Sequence, residues 1–495
     1  MKQKLSADRT VRTALDDLDY GTEEPSQYEG RVGRVRMPEG VSRGRLLRDV
    51  AFLAWPSFIE LLLTQLTSMA DQIMVGRMPG MAGVQGLSAV GLSLVPRITM
   101  VVAVVAMNVG TTAVIARCRG RQDQQKANQV FHQALLLNLI ISAVMTVVCY
   151  AGARWMIAFM GSSGITEETL ELSTTYLKIQ VCGLIPLCLT TTITAALRGV
   201  GDTKTPMVYN TIANVVNVIF NYLLIYGSFG LPAMGVAGAS LATVLGQLTA
   251  FGIAAAAVLG HKRYLCFECR SFFRFDRGNI AEIMRVGLPS LVEQVIMRIG
   301  FLIFNRMVAS LGDTLLATHL VLVNLQDVSL LLGMAFGNAA TTLMGQSLGK
   351  RRLDMAALYM RMTRLVGLGS AFVMMLVMIL FNTPLIALYN STPEVISLGS
   401  GILLMIAVMQ PVQGDQYVVS GGLRGAGDTR FTAFCMLVAT LVVRTICSVL
   451  FIRVLDLGLY GAWYAIFTDQ ALRTVLMAAR YHAGTWKRME HKRKG

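Results

Sequence analysis

Apolar residues gather into twelve runs. A spanning helix takes about 20 mostly apolar residues, and each run reaches that length. The first six lie at roughly 51–76, 86–116, 130–160, 169–198, 205–227 and 235–259. The second six lie at roughly 286–311, 315–347, 358–381, 395–423, 430–453 and 459–481. Several runs exceed what a perpendicular helix needs, so tilts, kinks or protruding ends are expected. Pro186, Pro289 and Pro411 fall inside runs and are the candidate kinks. The pattern predicts an all-α membrane protein with a polar tail at 1–50, a first six-span lobe at 51–260, a linker at 261–285, a second lobe at 286–481 and a basic tail at 482–495. The first tail reads as largely disordered to about Val41 and then as a short amphipathic helix. Because it is polar, no cleavable leader is expected.

The polar connections set an orientation. Basic residues crowd every second loop: Arg117, Arg119, Arg121 and Lys126, then Arg198 and Lys204, then Lys262, Arg263, Arg270, Arg274 and Arg277. The pattern continues with Lys350, Arg351 and Arg352, then Arg424 and Arg430, and ends on Lys487, Arg488, Lys492, Arg493 and Lys494. The alternate loops are nearly free of them, with single exceptions at Arg77 and Arg453. By the positive-inside rule both termini and the central linker are cytoplasmic, in the cell (inner) membrane. Composition agrees: 54% of residues are hydrophobic and 15% charged, against about 25% charged in soluble domains. The formal charge of +15 is a topology signal rather than a nucleic-acid footprint, because the basic residues sit between apolar runs and not interleaved with aromatics.

The chain repeats itself. Leu197-Arg-Gly-Val-Gly-Asp-Thr203 recurs as Leu423-Arg-Gly-Ala-Gly-Asp-Thr429, and Pro56-Ser57 with Glu60 recurs as Pro289-Ser290 with Glu293. Asn108 with Thr111-Thr112 recurs as Asn338 with Thr341-Thr342, and Gly238-Ala239 as Gly461-Ala462. Four collinear matches imply a duplication. Six spans per half place both halves in the same sense, related by a pseudo-two-fold axis along the membrane normal. Two such bundles around a cleft suit alternating access. In the duplicated loop the glycines permit a tight turn, the Asp can cap the next helix, and the Arg can reach helix carbonyls or lipid phosphates.

Six carboxylates fall within spans: Glu60, Asp71, Glu293, Asp327, Asp415 and Asp469. Each should face the protein interior or a wet cavity, because lipid exposure is costly. Glu60, Thr64, Thr67 and Asp71 step by 4, 3 and 4, as do Asn210, Asn214, Asn217 and Asn221 in the fifth span. Each set therefore lines one helix face, and carboxylate with amide oxygens suits a proton or a hard cation. The second half differs. Glu293 matches Glu60, with Arg298 or Arg306 as candidate neutralising partners, and Cys447 with neighbouring Arg444 stands where Asn221 would be. The tenth span offers Gln410, Gln413, Asp415 and Tyr417. The 29 methionines fit ordinary apolar packing and also an adaptable cavity. Most of the eight cysteines lie in apolar runs, and Cys266 and Cys269 form a lone CxxC with only His261 nearby, short of a zinc site. No HExxH, GxSxG or P-loop sequence accompanies the spans, so neither an enzyme nor ATP-driven export is expected.

These residues resemble a known family. The duplicated loop, Met69-Ala-Asp-Gln-Ile-Met-Val-Gly76, Gly287-Leu-Pro-Ser-x-x-Glu-Gln294 and Asn217-x-x-x-Asn221-Tyr-Leu-Leu-Ile-Tyr-Gly227 look like multidrug and toxic compound extrusion (MATE) transporters, in their NorM-like branch, over about residues 45–480. The resemblance implies a V-shaped fold of twelve helices. It implies cation-coupled antiport of amphipathic organic cations, driven by H⁺ or Na⁺, without a bound cofactor; the expected partners are these small molecules and membrane lipids, with no nucleic acid, and a monomer is expected. Asp71 matches the family's first-helix cation or proton site, and Glu293 its seventh-helix cation site. Asp415 stands in the helix that supplies a further acid for Na⁺. Glu60, Thr64, Thr67, Asn210, Asn214, Asn217, Asn221, Gln410 and Tyr417 are the candidate cavity residues. Asn221 stands where some members carry Asp, and Gln326-Asp327 where many carry Glu. The rival reading is a flippase for a lipid-linked glycan or peptidoglycan precursor.

Overall fold

The computed structural model describes residues 13–19, 35, 37–79, 81–160, 166–227, 230, 232–260, 264–268, 275–389 and 393–487. The long elements among them are helices, as expected where no water can satisfy an exposed backbone. They are α1 (Arg43–Gly76), α2 (Met81–Gly120), α3 (Gln124–Met160), α4 (Glu167–Cys182), α5 (Leu184–Val200), α6 (Lys204–Tyr226) and α7 (Gly235–Leu259). The second half contributes α8 (Arg277–Ala309), α9 (Asp313–Gly349), α10 (Leu353–Leu380), the short α11 (Asn382–Ala387), α12 (Pro393–Gly425), α13 (Thr429–Val454) and α14 (Gly458–His482).

Among the described residues, nine helices are long and apolar enough to cross a membrane, or ten with α4 and α5 counted as one bent span. With α1 and α14 they make the twelve helical passes expected. The bend is 49° and falls at Gly183, three residues before Pro186. Pro289 and Pro411 lie inside unbroken helices. The apolar pattern gave no sign of one feature: α13 switches to π-type hydrogen bonding over Leu437–Val443 and Leu450–Val454, on both sides of Arg444.

The chain divides into two compact units. The first holds residues 59–111 and 124–284; the second holds 11–58, 112–123 and 285–495. This differs from the sequence division, which gave the start of α1 and the end of α2 to the first lobe. Packing explains the difference. Leu46, Val50, Leu53 and Ala54 are buried in one apolar cluster with Leu343, Met355 and Tyr359. Gly345 and Gly349 lie against Ala116 and the Arg117 backbone, where α9 and the end of α2 meet. Part of the N-terminal stretch read as disordered is also folded into the second unit. Ala14–Asp17 form a turn of 3₁₀ helix, and Ala14 and Leu15 are buried in the same cluster. Of the linker, 261–263 and 269–274 lie outside the described residues, and with them His261, Lys262, Arg263, Cys269, Arg270 and Arg274; so do Arg488 and the residues after it.

The duplication extends to the backbone. Gly201 and Gly427 both take a left-handed φ, of 91° and 80°, after equivalent helices. In each case the following Asp N–H donates back to the motif's Leu carbonyl at 2.9 Å, closing the helix as a left-handed cap does. Gln122 and Arg351 both have φ 57° in the turns after α2 and α9.

In the second unit, α9 and α12 cross through small residues. A Cβ added at Gly421 would lie 2.2 Å from the Gly337 carbonyl oxygen, and one at Gly425 would lie 2.4 Å from that of Thr341. Close backbone approach of this kind is a main source of helix association in lipid. Gly421→Val should therefore abolish the monodisperse species in detergent gel filtration. A variant eluting and melting like the parent would contradict this packing.

Candidate functional site

The first unit builds its polar seam from α1 and α6. Glu60 accepts from Arg198 at 2.8 Å through Oε2 and from the Asn210 amide at 2.7 Å through Oε1. One turn on, the Thr64 hydroxyl donates to its own helix at the Glu60 carbonyl, 2.8 Å, and accepts from Asn214 at 3.5 Å. At the far end the Asn221 amide donates to Asp71 Oδ1. Turned so that its nitrogen faces the carboxylate, the Asn217 amide donates to the same oxygen at 3.0 Å and accepts from the Thr243 backbone N–H at 3.1 Å. Glu60, Thr64 and Asp71 of the first stripe thus meet the Asn stripe rung by rung, while Thr67 is half-buried between them. Asn221 is fully buried and its Oδ1 has no hydrogen-bond partner among the described residues, which leaves acceptor capacity beside Asp71.

The second unit repeats one end of this seam and replaces the other. Glu293 is paired with Arg424 and also accepts from the Thr432 hydroxyl at 3.1 Å. The neutralising partner is therefore Arg424, not Arg298 or Arg306. Asp415 is held in a two-bond fork by Arg364, at 2.7 and 2.8 Å, the strongest geometry for such a pair. Asp469 is buried between Arg444 and Arg473. Asp327 and Arg298 are both exposed, and neither has an ion pair within 4.0 Å among the described residues. Gln410 and Tyr417 line a small void with Ser329, Gly333, Gly367 and Gly414. The Gln410 amide is turned back onto the Ile406 carbonyl at 3.3 Å.

The duplicated Arg thus has a duplicated partner. Arg198 holds Glu60 in the first unit as Arg424 holds Glu293 in the second. The signal was in the sequence, since both members of each pair recur at nearly the same spacing. Asp202 does cap the next helix, accepting from the Thr205 N–H at 3.0 Å. Asp428 departs from that role and binds Arg480 at 2.8 Å. Arg364 carried no repeat signal and was missed. Among the described residues no group of three or more His, Cys, Asp and Glu is placed to hold a metal.

Fold and site together define a duplicated polytopic membrane protein in which Glu60, Glu293, Asp415 and Asp469 of the spans are paired with arginines. The family model for MatE matches residues 56–223 and 289–450, and the chain belongs to that family of membrane transporters. It is similar to the "Probable multidrug resistance protein NorM" of Thermotoga maritima, with 26% identity over 470 residues, 94% of this chain and 97% of that protein. It is also similar to the "Multidrug resistance protein PmpM" of Pseudomonas aeruginosa, with 28% identity, 79% of this chain and 81% of that protein. Among solved structures, an outward-facing MATE family transporter aligns with a TM-score of 0.82 at 21% identity, over 92% of this chain and 100% of that one. A MATE structure in the straight conformation gives 0.82 at 22%, over the same shares of the two chains. These structures establish the shared fold.

Breaking one partner of a buried pair leaves the other charge stranded, at a cost of about 3–5 kcal/mol, whereas removing both costs far less. Arg198→Gln alone should lower the melting temperature in detergent well below that of Glu60→Gln/Arg198→Gln. Equal melting of the single and double variants would show that the two side chains are not coupled.

Proposed function

We propose that the protein is a cation-coupled antiporter that exports amphipathic organic cations by alternating access, with Asp71 as the coupling residue. The observation that carries this reading is the environment of Asp71. It is the carboxylate within a span of the first unit whose hydrogen bonds come from amides; the Arg97 guanidinium acts on it through its charge, without a direct ion pair among the described residues, so its charge is open to exchange. Glu293 and Asp415 already hold arginines, and an ion arriving there would have to displace one. The names of the relatives, which speak of multidrug resistance, support the cargo class.

In the proposed cycle, H⁺ or Na⁺ binds Asp71 in the outward-open state, neutralises it and releases the cargo. Loss of the ion on the inner side restores the charge, and cargo reloads from the cytoplasm or inner leaflet. Glu60, Thr64, Thr67, Asn210, Asn214, Asn217 and Asn221 are the proposed cargo-facing residues of the first unit, and Gln410 and Tyr417 are the candidate cavity residues of the second. Coupling requires cargo and ion each to prefer one conformational state. The alternation of basic loops supports an orientation with both termini and the linker in the cytoplasm, in an inner membrane.

Liposomes loaded with a fluorescent organic cation, under ΔpH or ΔpNa at zero potential, test this. One gradient should drive transport, and Asp71→Asn should reduce it to the protein-free background. Gradient-driven transport at the parent rate in Asp71→Asn would refute the role of Asp71. Response to neither gradient in folded protein would refute cation-coupled export.

A further inference from the structure

The turn at residues 13–18 is bound far more closely than a tail requires. Asp49, 1% exposed on α1, accepts from the Ala14 backbone N–H at 2.7 Å and from the Tyr359 hydroxyl of α10 at 2.8 Å, both on Oδ2. Lys350, 3% exposed in the turn between α9 and α10, donates its ammonium to the Leu15 carbonyl at 2.6 Å. Arg119 at the end of α2 lies 3.7 Å from Asp16, and Arg45 of α1 pairs with Asp17. The turn caps itself, with the Thr13 N–H donating to Asp16 at 2.8 Å. Leu15, 3% exposed, sits in the apolar cluster that holds Leu46, Val50, Leu348 and Trp486.

Four chain segments therefore converge on this turn: the start of α1, the end of α2, the connection between α9 and α10, and α10. Burial draws the Lys350 ammonium below the usual lysine range, against the pull of Asp16, Asp19 and Asp17. A buried ammonium on a peptide carbonyl and a buried carboxylate on a peptide N–H are directional contacts, lost when the turn leaves. Two of the clasped pieces, 43–58 and 112–123, continue into helices whose remainder belongs to the first unit.

We propose that residues 13–18 are a clasp that restrains transport by holding the start of α1 and the end of α2 against the second unit at the end that bears the basic loops. Opening of that end requires the clasp to release. The inference rests on the alternating-access reading only for its effect on rate; the clasp itself is testable without transport.

Cys118, 3% exposed at the end of α2, reports release in a full-length variant that retains it as the sole cysteine. Leu15→Asp places a charge in the buried slot, and deletion of residues 1–19 removes the clasp without a new charge. In both variants Cys118 labelling by a water-soluble maleimide in detergent should rise about tenfold or more, a local opening shift of about 1.4 kcal/mol or more. Initial efflux into liposomes at a small imposed gradient should rise severalfold. Unchanged Cys118 labelling in both variants would overturn the clasp, whatever transport does. Faster labelling with an unchanged or slower initial rate would overturn its role as a restraint. If Leu15→Asp does not fold, the deletion alone decides. If the parent itself responds to no gradient, the export reading fails while the labelling result still stands.

Discussion

An ionised carboxylate inside a bilayer needs an immediate partner, and that requirement organises this protein. Glu60 has Arg198 and Asn210, Glu293 has Arg424 and Thr432, Asp415 has Arg364, and Asp469 has Arg444 and Arg473. Each pair joins residues far apart in sequence, except Arg473 with Asp469, so each also fixes which helices lie side by side. The Glu–Arg pairs that the duplication produced tie the first span of each half to the end of its fourth. That is also where the left-handed caps at Gly201 and Gly427 stop the helix. A single motif therefore ends a helix, turns the chain and neutralises a buried acid in each unit.

Asp71 and the exposed Asp327 stand outside that set of ion pairs, and of the two Asp71 is the one held by hydrogen bonds. Its hydrogen-bond partners are the amides of Asn221 and Asn217, which can satisfy the charged form without fixing it. A carboxylate locked to a guanidinium makes a stable joint and a poor switch, because removal of its charge leaves the arginine stranded. A carboxylate held by amides can gain and lose a cation with little rearrangement. The proposed division of labour between structural and exchangeable acids rests on what each faces, and residue type alone does not predict it.

Much of this was legible in the sequence because membrane spans write themselves in hydropathy. The twelve passes, the duplication and the two polar stripes of α1 and α6 follow from run length, collinear motifs and a 4-3-4 step. The facing of Asn210 to Glu60 and of Asn221 to Asp71 confirms that the stripes share one seam. What escaped is tertiary. Arg364 lies 51 residues before Asp415, and no periodicity links them. Glu293 had two nearer arginines in sequence, yet Arg424 reaches it because α12 delivers the repeated Arg. The π-type turns around Arg444 left no sign in the apolar pattern, whereas the bend at Gly183 falls beside Pro186, one of the candidate kinks. The N-terminal turn was read as disordered from its polarity, but Leu15 and the cluster around it supply the apolar anchor.

The central claim is that cargo and coupling ion compete for the charge state of Asp71. Difference infrared spectroscopy of the reconstituted protein reads that state directly through the carboxylic acid carbonyl band. Addition of an organic cation to protein at low pH should remove a protonated carboxyl band that is absent from Asp71→Asn and present in Glu293→Gln. A cargo-induced band that survives in Asp71→Asn, or that disappears instead in Glu293→Gln, would contradict the account.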